Sequence, residues 1–146
     1  MTDKHKKMVR EFIAAINEQQ WEKVSAMLAP DFVRHSSTFG QSEVNDKERL
    51  LKHLQAEYET FPDARETINF LVAEGDKVVV HSHCHATQKG PMGPFPPSGK
   101  VLSADFISIY RIADGLIAES WAEWDSLSGL IQLGHLESPT MEKSKS

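Results

Sequence analysis

The sequence contains a single cysteine, Cys84, so no disulfide bond can form within the chain. No apolar run approaches the roughly 20 residues that a membrane-spanning helix needs. The 16 basic residues are scattered among 21 acidic ones and give a net charge of −5 at pH 7, so no basic patch is available for a phosphate backbone. We therefore expect a cytoplasmic protein that binds neither nucleic acid nor a membrane.

The sequence also lacks the short motifs that identify several large enzyme classes. It has no G-x-S-x-G elbow, no phosphate-binding P-loop and no dinucleotide fingerprint. Its first residues, M-T-D-K-H-K-K, are charged where a secretion signal would be apolar. Hydrophobic residues make up 40% and charged residues 25% of the chain, which is ordinary for a soluble globular protein. We expect one domain over residues 1–136 and a polar, disordered tail over residues 137–146.

The first part of the chain has helical periodicity. Apolar residues spaced by three and four predict a first helix around Phe12 and a second helix that includes Leu28 and is ended by Pro30. A third helix is predicted to begin at Asn45, with Glu48 three residues later as its capping partner.

The remainder predicts strands. Residues 65–73 and 77–88 alternate in the manner of strands, and the loop 89–100 that follows has four prolines and three glycines, which excludes a central strand. Ile107 to Asp125 then predicts a long β-hairpin, because its Asp-Gly dipeptide suits a type I′ turn. Helices followed by a meander of long strands predict an α+β fold, in which a curved, mainly antiparallel sheet and three N-terminal helices form a cone that encloses a pocket.

Several segments resemble one family when they are read in order and spacing. They are M-V-R-E-F-I-A-A-I-N near the start, A-P-D-F-V-R-H at 29–35, F-P-D at 61–63, E-G-D-K-V-V-V at 74–80, M-G-P-F-P-P-S-G-K at 92–100, Y-R-I-A-D-G-L-I-A-E-S-W at 110–121 and L-I-Q-L-G at 130–134. The chain resembles the SnoaL-like polyketide cyclases, or predicted ester cyclases, of the ketosteroid isomerase and nuclear transport factor 2-like superfamily. The resemblance implies a small apolar ligand in the cone, no cofactor and no metal, and a homodimer through the outer sheet face.

The resemblance also shows where this chain departs from the family. Aligned on the R-I-x-D-G-x-I run, the family's acid/base aspartate falls at Ala122, its supporting histidine at Ser108, and a histidine of many relatives at Ser120. Two hypotheses follow. The first is a cofactor-independent acid/base enzyme, a cyclase, isomerase or hydrolase, acting on a small apolar carbonyl or ester compound. The alternative is a dimeric small-molecule-binding protein that performs no reaction.

Side chains of the hairpin separate into two faces because they alternate along each strand. The alignment places one set inside the cone, which predicts an aromatic, hydroxylated and carboxylate-free interior for an apolar ligand. The predicted substrate-binding residues are Phe106, Ser108, Tyr110, Ser120, Ala122 and Trp124 of the hairpin, together with Arg34 and Tyr58 from earlier in the chain.

Two residues are candidates for catalysis. His35 stands where the family often has histidine and would be a pocket-lining donor or base, although Arg34 competes for the inward direction and a surface histidine is an equal alternative. Asp125 matches the family's W-x-x-x-D aspartate, and the alternative for it is to cap a short helix that begins at Ser126.

Three histidines, His81, His83 and His85, alternate along one predicted strand. Histidines at this spacing could bind zinc with a further ligand. The opposite face of the strand is the more apolar one, so we expect the histidines to face outward, with a subunit contact and solvent as the alternatives, and predict no metal site.

Overall fold

The computed structural model describes residues 1–36 and 43–139, so the last seven residues of the predicted tail lie outside the described residues. Within these ranges, four helices and five strands follow one another. They are α1 (Thr2–Asn17), α2 (Trp21–Ala26), β1 (Leu28–His35), α3 (Lys47–Thr60), β2 (Arg65–Glu74), β3 (Lys77–Thr87), β4 (Val101–Ala113), β5 (Leu116–Trp124) and α4 (Ser126–Gln132).

The five strands form one sheet in the order β1-β5-β4-β3-β2. Strand β1 pairs in parallel with β5, and the other three pairings are antiparallel. The sheet is curved, and its two edge strands do not meet, so it forms an open cone rather than a closed barrel. The predicted α+β fold is confirmed.

The turn of the hairpin is the one that the sequence predicts. Asp114 has φ 53° and Gly115 has φ 77°, so both central residues adopt the left-handed conformation of a type I′ turn. The first arm is longer than predicted, because β4 already begins at Val101.

Two predicted element boundaries are wrong. The second helix ends at Ala26, and Leu28 begins strand β1, with Pro30 inside the strand rather than beyond a helix. Proline is tolerated there because β1 is an edge strand, where a missing N–H need not interrupt the ladder. The third helix is capped by Asp46 instead of Asn45, since the Asp46 carboxylate accepts a hydrogen bond from the Arg49 N–H at 2.8 Å.

The helices cover the concave face of the sheet, and α1 contributes most of the apolar contact. Phe12 of α1 meets the ring of Tyr110 of β4 edge to face, with 5.8 Å between ring centroids. Val78 and Val80 of β3 are fully buried in the same core. Burial of each large apolar side chain contributes roughly 1.5–3 kcal/mol, so this packing fixes α1 across the sheet.

The loop between β3 and β4 is organised around the buried amide of Gln88. Its Nε2 donates to the carbonyl oxygens of Gly90 at 3.0 Å and Pro96 at 3.1 Å, and its Oε1 accepts from the Ser98 hydroxyl at 3.2 Å. A side chain at Gly90 would stand 2.5 Å from the Glu59 carbonyl oxygen. The proline-rich loop is therefore held closely against the end of α3.

Candidate functional site

The concave face of the sheet carries alternate residues of the three central strands. Tyr110 and Ser120 point into it, as the alternation predicts, and are 9% and 5% exposed. Ser82 of β3 lies on the same face and is fully buried. The part that these residues play in binding stays a prediction.

The more accessible part of this face is aromatic. The rings of Phe106 and Trp124 stack with centroids 4.8 Å apart and planes inclined by 20°. Both residues are half-buried, as are Ser108 and Ala122, which face each other across the β4–β5 ladder. Helix α4 supports the stack, because Gly129 leaves the room that the ring of Trp124 occupies.

A carboxyl group that the sequence interpretation missed lies on the inner face. Glu66 of β2 pairs with Cys84 of β3, and its neighbour on the same face, Ile68, pairs with Ser82. Asn17 of α1 fixes the backbone of Glu66, since its amide donates to the Glu66 carbonyl at 2.8 Å and accepts from the Glu66 N–H at 2.9 Å. The prediction of a carboxylate-free interior is therefore wrong.

The carboxyl group of Glu66 is desolvated, although part of the residue remains accessible. Burial raises its pKa above the ordinary value of a glutamate, and the nearby Ser82 hydroxyl only partly opposes this effect. Side chains two residues apart on a strand lie on the same face, so an inward Ile68 predicts an inward Glu66. This was missed from the sequence because an unpaired charge is ordinarily expected to face solvent.

The hydroxyl of Ser82 is in an unusual position. It lies close enough to Glu66 to lower the pKa of that carboxyl group, yet it makes no hydrogen bond of ordinary geometry to any described residue. A buried hydroxyl whose hydrogen-bonding capacity is not fully used is a place where a ligand or water oxygen would be stabilised.

Three further titratable groups surround this carboxyl. Burial, and then the charge of Glu66, raise the pKa of the Cys84 thiol to about 12, so the thiol is neutral and unreactive at neutral pH. Burial also raises the pKa of Tyr58 to about 12, and the Tyr58 hydroxyl donates to the Ile16 carbonyl at 3.0 Å. The pKa of Tyr110 is raised by burial first and by Glu66 second.

Arg34 brings a positive charge to the same face. It pairs with Ser120 across the parallel β1–β5 ladder, which gives it the inward direction and gives His35 the outward one. Its charge lowers the pKa of Tyr110, and so does the neighbouring Ser108 hydroxyl. Among residues 1–36 and 43–139, no carboxylate forms an ion pair with the Arg34 guanidinium.

The family model of SnoaL-like polyketide cyclases matches residues 6–133 of the chain. The chain belongs to this family. Among solved structures, TsrD from Streptomyces laurentii is 32% identical, with a TM-score of 0.78 over 90% of this chain and 95% of that chain. IdmH from Streptomyces antibioticus is 27% identical, with a TM-score of 0.78 over 89% of this chain and 98% of that chain.

A wider set of structures shares the fold alone. An LEH-like epoxide hydrolase from M. tuberculosis is 17% identical, with a TM-score of 0.72 over 90% of each chain. No curated protein matches the sequence. Among the described residues, no helix has the length and apolar character needed to cross a bilayer.

In this SnoaL-like protein, His35 does not join the inner residues. It lies on the outer sheet face, where its ring stacks on Trp121 with 5.2 Å between centroids. Its Nε2 lies 2.6 Å from Glu119, whose other oxygen accepts from Arg111 Nε at 2.8 Å, and its Nδ1 contacts Glu43. The hydrogen bond with Glu119 is the largest of several effects that raise the pKa of His35. The structure therefore separates His35 from Ser108 and Tyr110.

The second catalytic candidate, Asp125, is the N-cap of α4. Its carboxylate accepts a hydrogen bond from the Ser128 N–H at 2.9 Å and is exposed. This contact is the one that the alternative interpretation of Asp125, a helix cap, predicts.

The histidines of β3 face outward, as predicted. His83 Nδ1 lies 2.7 Å from Asp105, its Nε2 lies 2.8 Å from the Ser103 hydroxyl, and the ring of His81 stacks on Phe70. The Ser103 N–H donates a hydrogen bond to the side-chain oxygen of Gln132 at 2.8 Å, so this N–H is not free to stabilise an oxyanion. No group of three potential metal ligands is found among the described residues.

Proposed function

We propose that this SnoaL-like protein is a cofactor-independent enzyme that binds a small apolar carbonyl compound on the concave face of its sheet and transfers a proton on it. The supporting observation is the arrangement of that face, which joins an accessible aromatic stack to the hydroxyl groups of the buried Tyr110 and the half-buried Ser108. Phe106 and Trp124 offer a surface for a planar apolar ligand. The Tyr110–Ser108 hydroxyl pair would hold a carbonyl oxygen, with the Arg34 charge nearby.

The charge that such a site stabilises indicates the reaction class. Removal of a proton next to a carbonyl group leaves negative charge on the oxygen, which hydrogen-bond donors and a cation stabilise. Cyclisation, isomerisation and some hydrolyses share this requirement, so we propose the class and not one product. A role for His35 as base is not carried over, because its ring is held on the outer face by Glu119 and Trp121.

Ligand binding can be tested with β-tetralone, a bicyclic ketone with one flat aromatic ring and acidic protons next to its carbonyl group. We expect calorimetric binding to wild type and a roughly tenfold weaker affinity for Trp124→Ala, which corresponds to about 1.4 kcal/mol. Trp121→Ala is the matched control, since Trp121 lies on the same strand but on the opposite face. Equal losses in both variants would contradict binding on the concave face.

The alternative is a binding module without catalysis, which the alanine at position 122 favours. Nuclear magnetic resonance separates the two functions by following deuterium uptake into β-tetralone in deuterium oxide. An enzyme accelerates this exchange above the buffer rate, whereas a binding module holds the ketone and leaves the rate unchanged.

We also propose that the protein forms a homodimer through the outer face of the sheet. Phe70 and Val72 of β2 are each 52% exposed and Ile107 of β4 is 48% exposed, which leaves apolar side chains exposed on the outer face. A second copy of the same face would bury them in a two-fold contact.

A further inference from the structure

We infer that Glu66 is the group that takes and returns the proton in this reaction. This inference rests on the proposed function and deepens it. It gives the chain a carboxylate on β2 in place of the one that the family carries at the position of Ala122.

The first support is the way in which Glu66 is held. Strand pairing with Cys84 sets its direction, and both backbone hydrogen bonds to Asn17 tie the residue to the end of α1. A catalytic group must be fixed relative to the substrate, because small displacements cost large factors in rate.

The second support is the absence of a compensating cation. Among the described residues, no lysine or arginine forms an ion pair with Glu66, and its sequence neighbour Arg65 is engaged with Glu18 at 3.3 Å on the exposed side. Glu57 of α3 adds negative charge nearby. A structural carboxylate in the interior is ordinarily neutralised by a paired cation. Glu66 is instead left with a strengthened basicity, which suits the removal of a proton from carbon.

The third support is the Ser82 hydroxyl, which is fully buried and lacks an ordinary hydrogen bond to any described residue. It lies between β2 and the aromatic stack, since Ser82 pairs with Ile68 on one side and with Phe106 on the other. A hydroxyl in this place can donate to the Glu66 carboxylate or to a substrate oxygen. It therefore links the carboxyl group to the face on which the ligand is proposed to lie.

The chemical step balances without any co-reactant. The Glu66 carboxylate takes the proton, the C–H bond breaks, and its electron pair moves to the carbonyl oxygen, which becomes an enolate. The hydroxyls of Tyr110 and Ser108 and the charge of Arg34 stabilise that oxygen. Glu66 then returns the proton to carbon in an isomerisation. In a cyclisation the enolate carbon attacks a second carbonyl carbon of the same molecule, and Glu66 protonates the new alkoxide.

Deuterium exchange into β-tetralone tests the inference. We expect Glu66→Gln, which keeps the shape of the side chain, to lower the exchange rate by at least about 100-fold, the lower range for general acid–base catalysis. Its affinity for the ketone should stay within about threefold of wild type. Glu74→Gln is the matched control, because Glu74 lies on the same strand and is exposed. Exchange in Glu66→Gln at the wild-type rate overturns the inference and leaves the proposed function standing.

A second variant tests the partner hydroxyl by its effect on the pH profile. Tyr58, Cys84, Tyr110 and Glu57 also face Glu66, but burial keeps the first three neutral near pH 7, so Glu66 should dominate the profile there. Ser82→Ala removes a donor to the Glu66 carboxylate, so the exchange rate should rise with pH at a higher midpoint than in wild type. An unchanged midpoint overturns the pairing of Ser82 with Glu66. If the wild-type protein binds β-tetralone but does not accelerate exchange, both the role of Glu66 and the proposed catalysis are overturned. If wild type exchanges the ketone and Glu66→Gln does so equally fast, only the role of Glu66 is overturned.

Discussion

The ring of Trp124 lies directly against Gly129, where an added Cβ atom would stand 2.4 Å from Cζ3 of the indole. Strand β5 and helix α4 are therefore joined by a contact that only glycine permits. The same ring stacks on Phe106, so the contact positions the aromatic part of the concave face.

Gly129→Ala should displace the Trp124 ring and weaken its stack on Phe106. Overpacking of this kind costs about 1–3 kcal/mol of the free energy of unfolding, and urea denaturation measures it. Leu127→Ala is the control on the same helix, because Leu127 is 53% exposed and should have little effect. A Gly129→Ala protein with wild-type stability and fluorescence would show that the ring does not depend on the glycine.

Glu66→Gln should change how stability depends on pH. The pKa of Glu66 is raised in the folded protein, so the folded state holds its proton at pH values where the unfolded chain has lost it. The wild-type free energy of unfolding is then intact below the ordinary glutamate pKa and falls as the pH rises through the folded-state pKa, by at most about 1.4 kcal/mol per pH unit. Glutamine abolishes this fall. Urea denaturation from about pH 4 to about pH 8 should give parallel curves for wild type and Glu74→Gln and a flatter one for Glu66→Gln.

Glu119→Gln should lower the pKa of His35, since the hydrogen bond with Glu119 is the largest cause of its rise. A raised histidine pKa stabilises the folded state below the ordinary histidine pKa, and this stability is lost as the pH rises through the folded-state value. Titration of the His35 ring by nuclear magnetic resonance measures the pKa directly. A His35 curve that the substitution leaves in place would refute the coupling.

Ile107→Glu should convert a wild-type dimer into a monomer, because a charge would be buried at the proposed contact between two outer faces. Sedimentation velocity measures the mass in solution. Leu127→Glu introduces the same charge at a residue of similar exposure on α4, away from that face, and should leave the dimer intact. A wild-type protein that sediments as a monomer at high concentration would refute the dimer.

The features that could be predicted from the sequence are those that neighbouring residues decide. Asp114-Gly115 predicts its turn because both residues accept positive φ, and Asp125 predicts a cap because its carboxylate reaches an N–H three residues later. The inward face of β3 follows from simple alternation, with Val78, Val80 and Ser82 all buried. Motif order and spacing also identified the family that the profile match then showed.

The features that could not be predicted depend on what covers each strand. The sequence predicts Pro30 to end a helix, and only the sheet order shows that it lies in an edge strand. His35 and Arg34 compete for the interior until the parallel pairing with β5 sets their register. The sequence predicts Glu66 to be a surface charge, whereas in the fold α1, α3 and β3 pack around it.

The sequence by itself determined the α+β class, the hairpin with its turn, and the alternation that gives each strand two faces, because φ preferences and side-chain direction are local properties. Only the tertiary structure decided which charge is enclosed and which is solvated. Desolvation depends on every element packed around a group, and in this protein that places Glu66 inside the cone and leaves His35 outside it.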